Sequence, residues 1–334
     1  MNFRMLFVMH LCCALAGAVE AAEVPKTPVP QSPFIRVVYG YADAMLKHGR
    51  DEFGPKKTGL FLSAFDRTTM KPIEGFPKAP AGMRAQERAG TESAGLVGAN
   101  PQHDQNLLRL LYTLSELTGK PHYRDAADAA LKWFFENART EPQRRLPWGE
   151  QISWDVLKDE LLIAGEPGHR GDYFVRPWLL WDRCFRLAPE SSQQFALGLR
   201  ENPIVGPPSG IGAATNSKHE AQNSEASLRQ AGYYLRTWAA AYKHTGEEQF
   251  LDAITALLRR LEAQRRPRTG WIELWPEQPK FLPSANLSLA IDCEGAAHDV
   301  PDSLGSQLRA FARREDELFC SLPHAAALKS GKGF

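Results

Sequence analysis

The stretch Thr118–Asn137 reads TGKPHYRDAADAALKWFFEN, and its apolar positions decide the fold. Tyr123, Ala126, Ala127, Ala130, Leu131, Phe134 and Phe135 fall at alternating steps of one and three residues, the signature of one buried helix face. The preceding pair Thr118-Gly119 suits a helix end, because glycine adopts the left-handed C′ conformation without a steric penalty. The arrangement returns 127 residues later, where Thr245-Gly246 precedes Phe250, Ala253, Ile254, Leu257, Leu258 and Leu261. Nine of 34 positions are identical between 106–139 and 233–266, where chance gives roughly two or three, so a helical hairpin repeats.

Working outward, Ser32 and Pro33 read as N-cap and first residue of a helix that carries Phe34, Val37, Val38, Tyr41 and Met45 and stops at Gly49. A third hairpin fits Pro177–Glu201, turning at Ala188-Pro189-Glu190-Ser191. Two more helices fit Leu287–Ala297 and Ser303–Leu322, the second capped by Asp302. From Gly54 to Pro101 no periodicity survives, apart from a short strand expected at Leu60–Phe65. No strand–helix alternation argues for a parallel sheet. The fixed periods of tetratricopeptide or ankyrin arrays are also missing. The expectation is therefore an all-α fold, an (α/α) toroid of helical hairpins over 32–334 as one domain. The sequence supplies about nine helices, fewer than a closed ring takes, so the toroid is expected to be incomplete toward its C-terminus.

Arg4 and the apolar run Met5–Val19, followed by Val19-Glu20-Ala21, read as a signal peptide over 1–21. The run is too short to span a bilayer, which takes about 20 residues. A proline-rich leader over 22–31 follows. The protein is thus expected to be exported, periplasmic or secreted, with no membrane span after signal removal. Of the five cysteines, Cys184, Cys293 and Cys320 remain, spaced as neither a zinc nor a redox motif. With 40 Lys+Arg against 39 Asp+Glu and a net charge of +1, no basic footprint marks a nucleic-acid partner.

The chemistry-bearing residues concentrate between helices. All eight tryptophans lie between 133 and 275. Trp148-Gly149-Glu150-Gln151 and Trp154-Asp155 follow the first strong hairpin, and His169, Arg176, Trp178 and Asp182 come next. Arg229-Gln230-Ala231-Gly232-Tyr233 opens a later hairpin, which Trp271 and Glu273 follow. Aromatic faces for sugar rings, with acids and guanidinium groups for hydroxyls and carboxylates, make a carbohydrate cleft, and the expected partner is a polysaccharide or oligosaccharide. Plainer readings stand beside this. Trp133 and Trp238 lie within helices and read as core; Asp104 reads as a helix N-cap, and His169 as a solvated loop residue. Trp148-Gly149 reads equally as a packed turn, and Arg176 as the partner of a neighbouring acid.

The hairpin ending in Trp148-Gly149-Glu150, the Arg-Pro-Trp-x-x-Trp-Asp run at 176–182 and the Arg229 helix resemble the α/α-barrel pectate lyases, polysaccharide lyase family 2, over roughly 100–275. The resemblance implies β-elimination on a uronate-containing polysaccharide, with Arg229 as the base. It places Glu150 and His169 as metal or substrate ligands and Trp148 and Trp154 as stacking platforms. Asp155 joins Glu150 among the catalytic acids, and Arg176, Trp178, Asp182, Tyr233, Trp271 and Glu273 are expected to line the substrate. In that family histidines follow the Trp-Gly pair and the helix-opening arginine; here Gln151 and Gln230 stand there. Glutamine is a poorer transition-metal ligand than imidazole. A divalent cation (Ca²⁺, Mn²⁺ or similar) and no cation are therefore both compatible with the chain. Two alternatives stay open. One is a glycoside hydrolase using Glu150, Asp155, Asp182 and Glu273. The other is a non-catalytic sugar-binding relative that has lost its metal ligands.

Overall fold

The computed structural model describes residues 32–72, 98–138, 146, 152–163, 177–201, 224–272 and 283–322. The expected signal peptide and proline-rich leader lie outside these residues. The fold is all-α. Among the described residues the helices are α1 (Pro33–His48), α2 (Pro101–Thr118), α3 (Pro121–Asn137), α4 (Trp181–Leu187), α5 (Pro189–Glu201), α6 (Ser224–Thr245), α7 (Glu248–Ala263), α8 (Pro283–Ala296) and α9 (Asp302–Cys320). Two small antiparallel ribbons join them, β1 (Phe65–Asp66) with β2 (Lys71–Pro72), and β3 (Ile152–Asp155) with β4 (Glu160–Ile163).

The repeat read from the sequence reappears bond for bond. Gly119 and Gly246 have φ of 67° and 72°, and their N–H groups donate to Ser115 O at 2.9 Å and Tyr242 O at 2.7 Å. The hydroxyl of Thr118 donates to Leu114 O and accepts from Lys120 N. Thr245 makes the equivalent pair with Ala241 O and Glu247 N. All seven apolar residues singled out on α3 are buried, as are five of the six on α7, where Ala253 is half-buried. Full burial of a residue such as Phe134 is worth about 2–3 kcal/mol, which is why this periodicity determines the helix face.

Side-chain contacts fix the helix directions. Gln105, near the start of α2, donates to Pro177 O at 2.9 Å and accepts from Leu179 N at 2.5 Å, just before α4. Farther along both elements, the Arg183 guanidinium lies 4.3 Å from the Tyr112 ring centroid and 3.7 Å from Glu116. α2 and α4 therefore run parallel. Between α4 and α6, Trp181 lies 6.4 Å from Tyr233, and Phe185 stacks on His244 at 4.8 Å. Between α6 and α8, Gly232 faces Asp292 and Arg236 faces Gly295. The helices α2, α4, α6 and α8 thus form one parallel row, and α3, α5, α7 and α9 return antiparallel to it, a two-layer succession consistent with an α/α toroid. Trp181 knits the layers together, with Phe135, Phe185, Phe195 and Tyr233 all within 5.8–6.4 Å of its ring.

Several local expectations change. α9 begins at Asp302 itself, with Pro301 in the N-cap position and no side-chain cap. α8 begins at Pro283, four residues before the expected Leu287. The expected strand at Leu60–Phe65 is a single bridge between Arg50 and Phe61, followed by β1. Leu60, Phe61 and Leu62 are nevertheless fully buried, so this irregular segment is anchored in the core. Cys184, Cys293 and Cys320 are all free thiols.

Candidate functional site

The parallel row gives the molecule two chemically different ends. Short turns join α2 to α3, α4 to α5, α6 to α7 and α8 to α9 at one end. The connections that enter α6 and α8 do so at the other end, level with the N-terminus of α2, whereas the seven-residue α4 begins partway along the row, beside Tyr112 and Glu116 of α2 and the last turn of α6. Unpaired backbone N–H groups and the helix dipoles give such an end a partial positive character, which suits an anionic ligand.

The α2 entrance is the best-defined part of this end. Ala99 and Trp154 exchange backbone hydrogen bonds of 2.9 Å each way, which ties the approach to α2 against β3. Asn100 is the true N-cap; its side chain accepts from Gln102 N at 3.0 Å, and Pro101 occupies the first helical position. Asp104, expected to be the cap, instead lies in the first turn with its carboxylate accepting from the Ser63 hydroxyl at 3.0 Å. Ser63 Oγ accepts in turn from Asn100 N at 3.0 Å. The residue as a whole is half-buried, but enclosure of its carboxyl pushes the Asp104 pKa up to about 7, against the opposing Ser63 hydrogen bond. A carboxyl titrating near neutrality at this end is a candidate proton-transfer group. The pair Asn100-Pro101 was the signal for the cap, since proline favours the residue just inside an N-cap.

The expected site residues separate into groups. Trp154 is only 8% exposed. Its ring meets Trp133 edge-on at 5.2 Å, and its buried indole N–H has no acceptor among the described residues. Asp155 is buried and accepts from Leu157 N at 2.9 Å and Lys158 N at 3.2 Å, which shapes the turn of the β3–β4 hairpin. Trp178, Tyr233 and Trp271 are buried, at 1%, 1% and 6% exposure, so they pack beneath this end and present no open ring face to solvent. Asp182 lies elsewhere. Its carboxylate contacts Lys243 Nζ at 3.0 Å and His244 Nε2 at 2.8 Å, in the last turn of α6 near the short-turn end. Burial works against its ionisation, but the His244 and Lys243 hydrogen bonds hold its pKa below the usual range. Arg229 is on the second turn of α6, at the end where the row's N-termini converge, and the neighbouring Gln230 is buried. Trp148, Glu150, His169, Arg176 and Glu273 lie outside the described residues. Asp155 and Asp182 are thus not brought together.

Among the described residues no group of three or more His, Cys, Asp or Glu side chains could hold a metal ion. The glutamines at 151 and 230 offer amide oxygens, which fit a hard, oxygen-seeking cation better than a transition metal.

Against this geometry stands one comparison. A model of the periplasmic pectate lyase family matches residues 84–169. The matched stretch carries α2, α3, the β3–β4 hairpin and the connection holding Trp148, Glu150 and His169. Over this stretch the chain is similar to that family; Arg229 and the rest of the α6 helix lie beyond it.

Proposed function

We propose that the protein is an exported lyase that cleaves a uronate-containing polysaccharide by β-elimination at the end where the N-termini of α2, α6 and α8 converge. The observation that carries this reading is the family match over the elements that build the α2 entrance and over the connection leaving α3 toward that end. Elimination removes the proton at C5, α to the uronate carboxylate, and forms a C4–C5 double bond. The C4–oxygen bond breaks and the leaving oxygen takes up a proton. The carbanionic charge must be neutralised as it develops, and the positive ends of the row contribute to that.

Arg229 is the proposed base. An arginine is protonated in water because its pKa exceeds about 12, so it needs an environment that disfavours a second positive charge. Its place is in the second turn of α6, beyond the first turn over which a helix dipole acts, so in this role it gives up its proton only transiently. Glu150 and His169 are proposed as ligands of substrate or of a divalent cation, and such a cation would neutralise the uronate carboxylate when bound. Trp148 is the proposed stacking platform, with Arg176 and Glu273 at the substrate. Trp154, Trp178, Tyr233 and Trp271 support that surface from beneath.

Polygalacturonate incubated with the purified protein and Ca²⁺ or Mn²⁺ is expected to yield unsaturated product, followed by its absorbance. Arg229→Ala is expected to abolish the product at an unchanged Tm. No product from any uronate polymer would overturn the reading.

A further inference from the structure

A cavity of about 320 Å³ opens between α5, α6 and α7. Its floor is apolar, from the buried residues Tyr234, Trp238 and Leu257, and Arg200, Arg260 and Asp252 line it around that floor. Arg200 and Arg260 lie in the last turns of α5 and α7, the antiparallel partners of the row. Arg260 is half-buried, yet among the described residues it makes no hydrogen bond or ion pair. Burial holds its guanidinium below its ordinary pKa. Among the described residues Arg200 donates only to the neutral Gln249 side chain, at 2.8 Å. A desolvated guanidinium without a partner costs stability. The dipole benefit of a cation at a helix C-terminus is available to an exposed side chain and does not require burial.

We propose that this cavity binds one uronate unit at a site separate from the cleavage site, taking its carboxylate on Arg200 and Arg260. Asp252 accepts hydrogen bonds from the sugar hydroxyls, and the apolar ring face lies over the Trp238–Leu257 floor. The volume is at the lower end of ordinary ligand pockets, about 300–1,000 Å³, and suits a single sugar rather than a long chain. The choice of a uronate rests on the proposed function; the presence of two guanidinium groups around an apolar floor does not.

The test uses galacturonate, which has no glycosidic bond to cleave, with neutral galactose as control. The reporter is the Trp238 indole N–H, which donates to Ala196 O at 3.1 Å and gives a distinct nuclear magnetic resonance signal. Galacturonate is expected to shift that signal saturably and galactose to leave it in place. Arg260→Met should weaken the response at least tenfold while keeping or raising the Tm. Arg200→Gln, at an exposed position, carries the same test should Arg260→Met fail to fold. No shift with galacturonate, or an equal shift in the variants, overturns the cavity as a uronate site. Cleavage of polygalacturonate is scored separately. Cleavage without a Trp238 shift refutes the cavity alone, and a shift without cleavage refutes the lyase reading alone.

Discussion

Ser63 Oγ donates to the Asp104 carboxylate at 3.0 Å, joining the segment after α1 to the first turn of α2 across 41 residues. That bond partly offsets a burial that pushes the Asp104 pKa up to about 7. The folded protein therefore binds a proton that the unfolded chain, with its carboxyl near 3.8, has released. Stability is highest below the unfolded value and falls as the pH rises from about 4 to about 7, by on the order of 4 kcal/mol from this group. Asp292, also pushed up to about 7 by burial with Arg236 opposing, acts in the same direction. Asp104→Asn keeps an acceptor for Ser63 and should flatten the decline. Urea midpoints measured from pH 4.5 to 7.5 test this, and an unchanged slope in the variant would contradict it.

The α6–α8 contact depends on two glycines that are not equivalent. A Cβ at Gly232 would lie 2.4 Å from Asp292 Oδ2 and 2.9 Å from Asp292 Cβ, close to the α8 backbone. A Cβ at Gly295 would meet the far end of the Arg236 side chain at 1.7 Å, and that end can swing aside. Gly232→Ala should cost about 1–3 kcal/mol by overpacking, and Gly295→Ala less. Thermal unfolding of the two variants ranks them; the reverse order would show that the interface yields at Asp292 instead.

Arg265 and Glu315 form a buried pair at 2.6 Å, with side-chain exposures of 5% and 0%. The same guanidinium donates to Gly270 O at 2.7 Å and lies 5.2 Å from the Phe311 ring centroid, so it ties the end of α7 to α9. Arg265→Met leaves Glu315 buried without its cation and should cost about 3–5 kcal/mol. The double variant Arg265→Met with Glu315→Leu should recover part of that loss. A double-mutant cycle in denaturant measures both, and a coupling near zero would refute the assignment.

The glutamines at 151 and 230 can be tested by restoring histidine at both. In the natural chain, sugar affinity should change little on adding EDTA, and Trp148→Ala should weaken binding more than Gln151→Ala, because stacking needs no metal. Gln151→His combined with Gln230→His should create metal affinity, read by calorimetry. Sugar affinity lost on chelation from the unaltered protein would contradict this. No change in the double variant would show that the two positions do not face one site.

The sequence by itself determined the helices, their hairpin pairing and their buried faces. Burial along a helix repeats with the backbone's own period, so Tyr123 to Phe135 and Phe250 to Leu261 carry their environment in their spacing. The Thr-Gly stops were equally legible, because αL geometry at a C′ position is a local steric matter. Residues between helices carry no such period. Nothing local separates Trp178, Tyr233 and Trp271, which pack into the interior, from a tryptophan facing a cleft. Asp104 could be moved from cap to buried acid only once Ser63 was found against it, and Asp182 to the short-turn end only once Lys243 and His244 were. The β3–β4 hairpin, four residues a side, was invisible beforehand; its turn places Asp159 at φ 57° without an Asn-Gly signal. The parallel row, which gathers the N-termini of α2, α6 and α8 at one end, was decided by contacts such as Gln105 with Leu179 and Gly232 with Asp292. Those contacts join residues far apart in the chain, and their energies depend on side chains that local propensity does not see.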